Sequence, residues 1–176
     1  ISQARMVPLK RLIRDLTTGG GDCAILAETP LVQERFASIE ALGIYLDAGV
    51  ITRKGDVLNK YEDLRKYRIG VPGGVTIAPR FDLDKTIKKI PTKNYKQSVL
   101  MMNRGRVEGI IGAIDSIRYG ALINGYNPEK FFASPLIFKR FPVMLVCRKD
   151  RQNDEFVLRL QRAIQTLQKT GKIKQV

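Results

Sequence analysis

Gly73-Gly74, directly behind the apolar stretch Arg68-Ile69-Gly70-Val71-Pro72, is the pair whose backbone is best placed to do chemistry. The glycines follow a strand pattern and precede a helical one, so their N–H groups can cradle an anion; a plain tight turn is the alternative. No Gly-Lys-Ser/Thr follows, which excludes a nucleotide-binding P-loop. A second polar cluster, Glu28-Thr29-Pro30 with Gln33-Glu34-Arg35, reads as a loop behind the apolar run at residues 22–26. Ligands of open α/β sheets gather at such carboxyl ends of strands. Arg35 is there either as a ligand contact or as a surface cation paired with Glu34 or Glu28.

Catalysis finds little support. The chain has no histidine, which removes a Ser-His-Asp triad, a Cys-His pair and a histidine-ligated metal. No two acids are placed for general acid–base work. Cys23 and Cys147 cannot make a zinc site by themselves. Each lies in an apolar, strand-like run, so they are buried thiols, or a disulfide if the fold brings them together.

The elements that must position these residues show a repeated pattern. Leu9, Leu12, Ile13 and Leu16 have helical spacing, stop at Gly19, and lead through Asp22 into Cys23-Ala24-Ile25. Val99, Leu100 and Met102 likewise stop at Gly105 and lead through Glu108 into Gly109-Ile110-Ile111. Glycine suits the left-handed turn at a helix end, and a continuous apolar run suits a strand buried in a parallel sheet. Two such copies predict two α/β lobes and a cleft. Asp22 and Glu108, at the starts of these strands, read as structural acids. Further strands are expected at residues 44–52, 68–71, 86–90, 131–136 and 141–147. Helices are expected at 95–103, from 114 to 122, and at 154–169, with a short helical turn in 59–67. The last helix carries the stripe Phe156, Val157, Leu160, Ile164 and Leu167.

At 176 residues the chain can bury one sizeable core or two modest ones. No apolar run is long enough for a membrane span. The opening Ile1-Ser2-Gln3-Ala4-Arg5 resembles the interior of a longer protein more than a natural start. A net charge of +14 favours anionic partners, although a solvated basic surface is the plainer account. Lys85, Lys88, Lys89, Lys93 and Lys96 have only Tyr95 among them, too few aromatics for a single-strand nucleic-acid binder.

The order of motifs resembles the type 2 periplasmic solute-binding proteins, and within them the amino-acid-binding family of ABC transporters. The resemblance is carried by Asp22-Cys23-Ala24-Ile25 with Thr29 and Glu34-Arg35, by Tyr61-Glu62-Asp63-Leu64 with Arg68–Gly74, by Leu100-Met101-Met102 with Gly105–Glu108, and by the closing helix. It implies a two-lobed α/β fold, with 1–48 plus 144–176 as lobe one and 49–143 as lobe two. The strands crossing between lobes would lie near Asp47–Gly49 and Pro142–Met144. It also implies that the first strand and helix of lobe one lie outside this sequence.

By the same resemblance, a small polar ligand, an amino acid or organic acid, is captured between the lobes. Arg35 would grip its carboxylate and Thr29 would assist. Gly73, Gly74 and Thr76 would follow the second lobe's entry strand, with Val75 intervening before the hydroxyl. The family's acid for the ligand's amino group falls at Ala113, and Asp115 stands two residues on. The implied protein is an extracytoplasmic monomer without cofactor or enzymatic activity, working with a membrane permease or a sensor. An enzyme or a wall-enzyme-associated sensory domain on the same fold is the alternative, and a nucleic-acid binder a remote one.

Overall fold

The computed structural model describes Arg5 and residues 7–173. The opening Ile1–Ala4 stretch, Met6 and residues 174–176 lie outside the described residues. The chain divides into two compact units, Ile1–Tyr45 with Phe141–Val176, and Leu46–Arg140.

In the first unit, α1 (Leu9–Thr18) ends at Gly19, whose φ of 81° is the left-handed cap that glycine supplies without a Cβ penalty. Strand β1 (Cys23–Ala27) follows. The expected polar loop is instead a short helix, α2 (Pro30–Arg35), whose first turn is capped by Thr29 accepting from the Val32 N–H at 3.4 Å. Thr-Pro at a helix start is a cap followed by a proline whose missing N–H costs nothing there. Strand β1 pairs antiparallel with the end of β6 (Leu136–Cys147), from Cys23 opposite Cys147 to Ala27 opposite Val143. The two cysteines form a disulfide. Leu16, Val32, Phe36 and Val146 form the core there, with Ala24 and Leu26 against it.

The closing helix α7 (Glu155–Lys169) turns Val157 and Ile164 inward. Leu160 and Leu167 of its expected stripe stay exposed. Gln161, Gln165 and Gln168 hold this helix to the start of β2 (Ala37–Thr52) by bonds to Ile39, Glu40 and Ala41.

The second unit is built on β2, β3 (Arg68–Pro72), β4 (Lys88–Thr92) and β5 (Gly109–Ala113), in the order β2-β5-β3-β4. The pair β3–β4 is parallel, as is β3–β5, while β2 runs antiparallel to β5. Neighbouring residues face opposite layers: Ile51 and Ile110 join Val99, Met102 and Ile117, whereas Val50 and Ile111 join Leu64, Ile69 and Phe81. That is why β5 reads as uninterrupted apolar sequence. The first layer is α4 (Tyr95–Asn103) and α5 (Ile114–Leu122). The second contains a 3₁₀ turn over Tyr61–Lys66 and the short helix α3 (Pro79–Leu83).

The strand expected at 131–136 is not formed. Asn127 caps α6 (Pro128–Phe131), the Phe131 ring stacks on Tyr126 at 4.8 Å, and β6 begins only at Leu136. One continuous strand replaces two.

Candidate functional site

Four of the six sequence-predicted site residues share one end of the second unit. Strands β3 and β5 are parallel with Ile69 beside Gly109, so the residues after Pro72 and after Ala113 emerge together. Gly73, Gly74 and Thr76 leave from one strand and Asp115 from the other. This is the carboxyl end of the sheet, where loops rather than strand pairs are free to meet a ligand. The Gly73 amide is already engaged, donating to the Thr92 carbonyl at 3.0 Å, and the Val75 amide closes a turn on Pro72. The expected anion cradle is therefore reduced to Gly74, exposed at φ 84°, with the exposed Thr76 hydroxyl beside it in sequence.

Asp115 lies in the first turn of α5, and the helix has no side-chain cap at Ala113. Among the described residues it forms no ion pair, so its charge is open to a cation. It lines a concavity of about 550 Å³ with Asn94, Tyr95, Lys96, Ser116, Tyr119 and Ile123, Lys96 being the one cation among them. Tyr95 is its foundation. The Tyr95 hydroxyl accepts from the Ala113 N–H at 3.2 Å, and burial pushes that phenol's pKa up, keeping it neutral. Its ring fits only because Gly112 has no side chain in its way, while Gly120 lets α5 approach the Tyr95 backbone and Cβ. Asn94, which caps α4 by accepting from the Gln97 N–H at 2.9 Å, closes the rim. The sequence signal for Tyr95 was present in these two glycines, but nothing local connects them to residue 95.

In the first unit, Thr29 and Arg35 are not brought together. Thr29 follows the Ala27 end of β1, where the Glu28 N–H donates to Pro142. Helix α2 then runs back, and Arg35 lines a separate concavity of about 500 Å³ with Thr17, Arg148 and Lys149, at the Cys23–Cys147 end. Lys149 Nζ donates to the Glu34 carbonyl at 2.7 Å, tying down the helix end. Arg148 is held by Asp150 at 2.6 Å. Arg35 makes no ion pair among the described residues.

The acids that open the two similar strands are structural. Glu108 binds the Arg68 guanidinium and accepts from the Arg68 N–H at 2.7 Å, and that guanidinium holds the carboxyl below the usual range. Asp22 faces Arg151 at 3.6 Å. Among the described residues no group of three or more His, Cys, Asp or Glu is placed to hold a metal, and no helix is long and apolar enough to cross a membrane.

No family model matches the chain, and no curated protein matches it. Solved structures do. A mutant of ArgBP from T. maritima superimposes with a TM-score of 0.75 at 19% identity, over 95% of this chain and 72% of that one. The chain has a type 2 periplasmic-binding-protein-like fold. The same binding-protein fold is shared with the substrate binding protein of an amino acid ABC transporter, at TM-score 0.74 and 14% identity, over 96% of this chain and 75% of that one. It is shared too with a histidine kinase sensor domain similar to periplasmic binding proteins, at TM-score 0.76 and 12% identity, over 94% and 72%. At such identities the likeness is one of fold, and residue roles must come from this chain's own geometry.

Proposed function

We propose that this protein is a solute-binding module that captures a small polar ligand, an amino acid or small organic acid, for an ABC-type transporter or a sensor. The observation that carries the reading is Asp115. It is an exposed carboxylate with no ion-pair partner among the described residues, at the carboxyl end of β5, lining a concavity floored by the neutral Tyr95. A carboxylate in that position receives an ammonium or guanidinium group. Thr76 and the Gly74 turn, emerging at the same end, offer a hydroxyl and an amide to the ligand's oxygens. Arg35 lines a concavity within the first unit with Thr17, Arg148 and Lys149, and is left out of this set.

The fold neighbours support the class: one is described as arginine-bound ArgBP and another as the substrate binding protein of an amino acid ABC transporter. The Cys23–Cys147 disulfide supports an oxidising, extracytoplasmic compartment. A thermal-shift panel of amino acids and small carboxylates tests the proposal. A true ligand at a hundred times its Kd stabilises by about 2.7 kcal/mol. Silence across the whole panel overturns the reading.

A further inference from the structure

Thr17, Arg35, Arg148, Lys149 and Asp150 come from three separate elements and converge on one concavity of about 500 Å³ inside the first unit. Thr17 lies in the last turn of α1, Arg35 ends α2, and the other three belong to the 3₁₀ turn that follows β6, over Lys149–Arg151 with Arg148 as its cap. The buried Leu16 and Phe36 form the floor. Three cations against one carboxylate leave two positive charges in excess. An apolar floor beneath them excludes water from one side and strengthens their field.

Part of this charge serves the fold. Arg148 grips Asp150 through Nε at 3.0 Å and Nη2 at 2.6 Å, and Lys149 spends one N–H on the Glu34 carbonyl. The rest is unused. Arg148 Nη1 makes no hydrogen bond among the described residues and lies over Gly19, where a Cβ would stand 2.7 Å from it. Lys149 keeps two of its three ammonium N–H groups, and the Arg35 guanidinium keeps all of its donors. The Ile13, Arg14 and Asp15 carbonyls of α1 already accept from Thr17, Thr18 and Gly21, so those acceptors do not consume the cations.

We infer that this concavity binds a phosphomonoester dianion, whose oxygens are shared among Arg35, Arg148 Nη1 and Lys149. A dianion matches the excess charge. A tetrahedral phosphoryl group presents three oxygens to donors arriving from different elements, whereas a planar carboxylate is satisfied by one guanidinium. The volume is that of a small-molecule site and exceeds a bare phosphate. The phosphoryl group is therefore carried on a small alcohol or on a lipid. This inference uses no residue around Asp115 and stands independently of the solute-binding reading.

The test titrates the whole chain with glycerol 3-phosphate and with dimethyl phosphate by calorimetry, at physiological ionic strength and above the second phosphate pKa of about 6. Saturable binding of the first is expected, with the monoanionic dimethyl phosphate at least about ten-fold weaker. Arg35→Ala, at an exposed side chain with no ion pair among the described residues, should weaken binding by about ten-fold or more and leave the melting temperature without ligand in place. Lys85→Ala, an exposed cation of the second unit, should change nothing. Sedimentation with equimolar phosphatidylcholine and phosphatidic acid vesicles separates the two sources. Capture that Arg35→Ala abolishes and glycerol 3-phosphate displaces assigns a lipid headgroup; binding of glycerol 3-phosphate without capture assigns a free ester. The inference is overturned if neither probe binds up to millimolar phosphate or if both phosphates bind equally. It is overturned too if Arg35→Ala weakens binding no more than Lys85→Ala, which would mean diffuse charge.

Discussion

The Tyr95 ring occupies the space that a side chain at Gly112 would need, and its hydroxyl accepts from the next amide, that of Ala113. Gly112 sits at φ 153°, a conformation that side-chain-bearing residues rarely adopt. The two residues are mutually dependent. Glycine lets the ring reach the end of β5, and the ring fixes the backbone from which α5 and Asp115 depart. Gly112→Ala should destabilise the protein by about 2–4 kcal/mol, since the displaced groups are a buried ring and strained backbone. Tyr95→Phe keeps the ring but orphans the Ala113 N–H, and should cost about 1 kcal/mol. Urea denaturation followed by circular dichroism separates the two.

Asp115→Asn keeps the shape of the first turn of α5 and removes the charge. Against whichever panel compound raises the melting temperature, it should weaken binding at least about ten-fold, the scale of one charge-assisted contact. The melting temperature without ligand should hold, because Asp115 is exposed. Arg35→Ala should leave the same titration nearly unchanged, because Arg35 lines the other concavity. A large loss from Arg35→Ala with none from Asp115→Asn would reverse the assignment of the site.

The disulfide joins residues 124 positions apart and ties β1 to the strand returning from the second unit. Closing a loop of that length in the unfolded chain corresponds to about 4–5 kcal/mol on the chain-entropy account. Reduction, or Cys147→Ser, should lower the melting temperature by many degrees. An unchanged melting temperature under a phosphine reductant, with free thiols confirmed by alkylation, would show that the staple contributes little.

Glu108 carries the pH dependence of the β3–β5 junction. Its carboxyl is held below its ordinary value first by the hydrogen bond from the Arg68 side chain. A depressed folded-state pKa means that stability is fully present above the unfolded value and is lost as pH falls through the folded one. Wild type should therefore lose its advantage over Glu108→Gln below roughly pH 4, where the unfolded-state carboxylate also protonates. Denaturant midpoints for both proteins between pH 7 and pH 3 give this difference directly. A gap that stays constant over that range would remove the ion pair from the account.

Local patterns were enough for much of this protein. The stops at Gly19 and Gly105, both at positive φ, helices α4 and α5, and strands β3 and β5 are all legible from spacing along the chain. The forces involved are themselves local: glycine's access to left-handed backbone, and a periodicity that sets which side chains share a face. The helix starts at Thr29-Pro30 and Asn127-Pro128 were equally local, since cap and proline sit side by side; the first turns an expected loop into a helix, and the second carries helix into Phe131, where a strand was expected to begin.

Tertiary structure alone decided the rest. Cys23 meets Cys147 only because β6 returns antiparallel to β1, and Tyr95 meets Gly112 only because α4 packs over β5. The same holds for the proposed site. The parallel register of β3 and β5 carries Thr76 and Asp115 to one end, while α2 turns Arg35 away from Thr29. Residue types and short spacings specify what each side chain can do. Which of them act together depends on contacts between residues far apart in the chain, and those are created only when the sheets form.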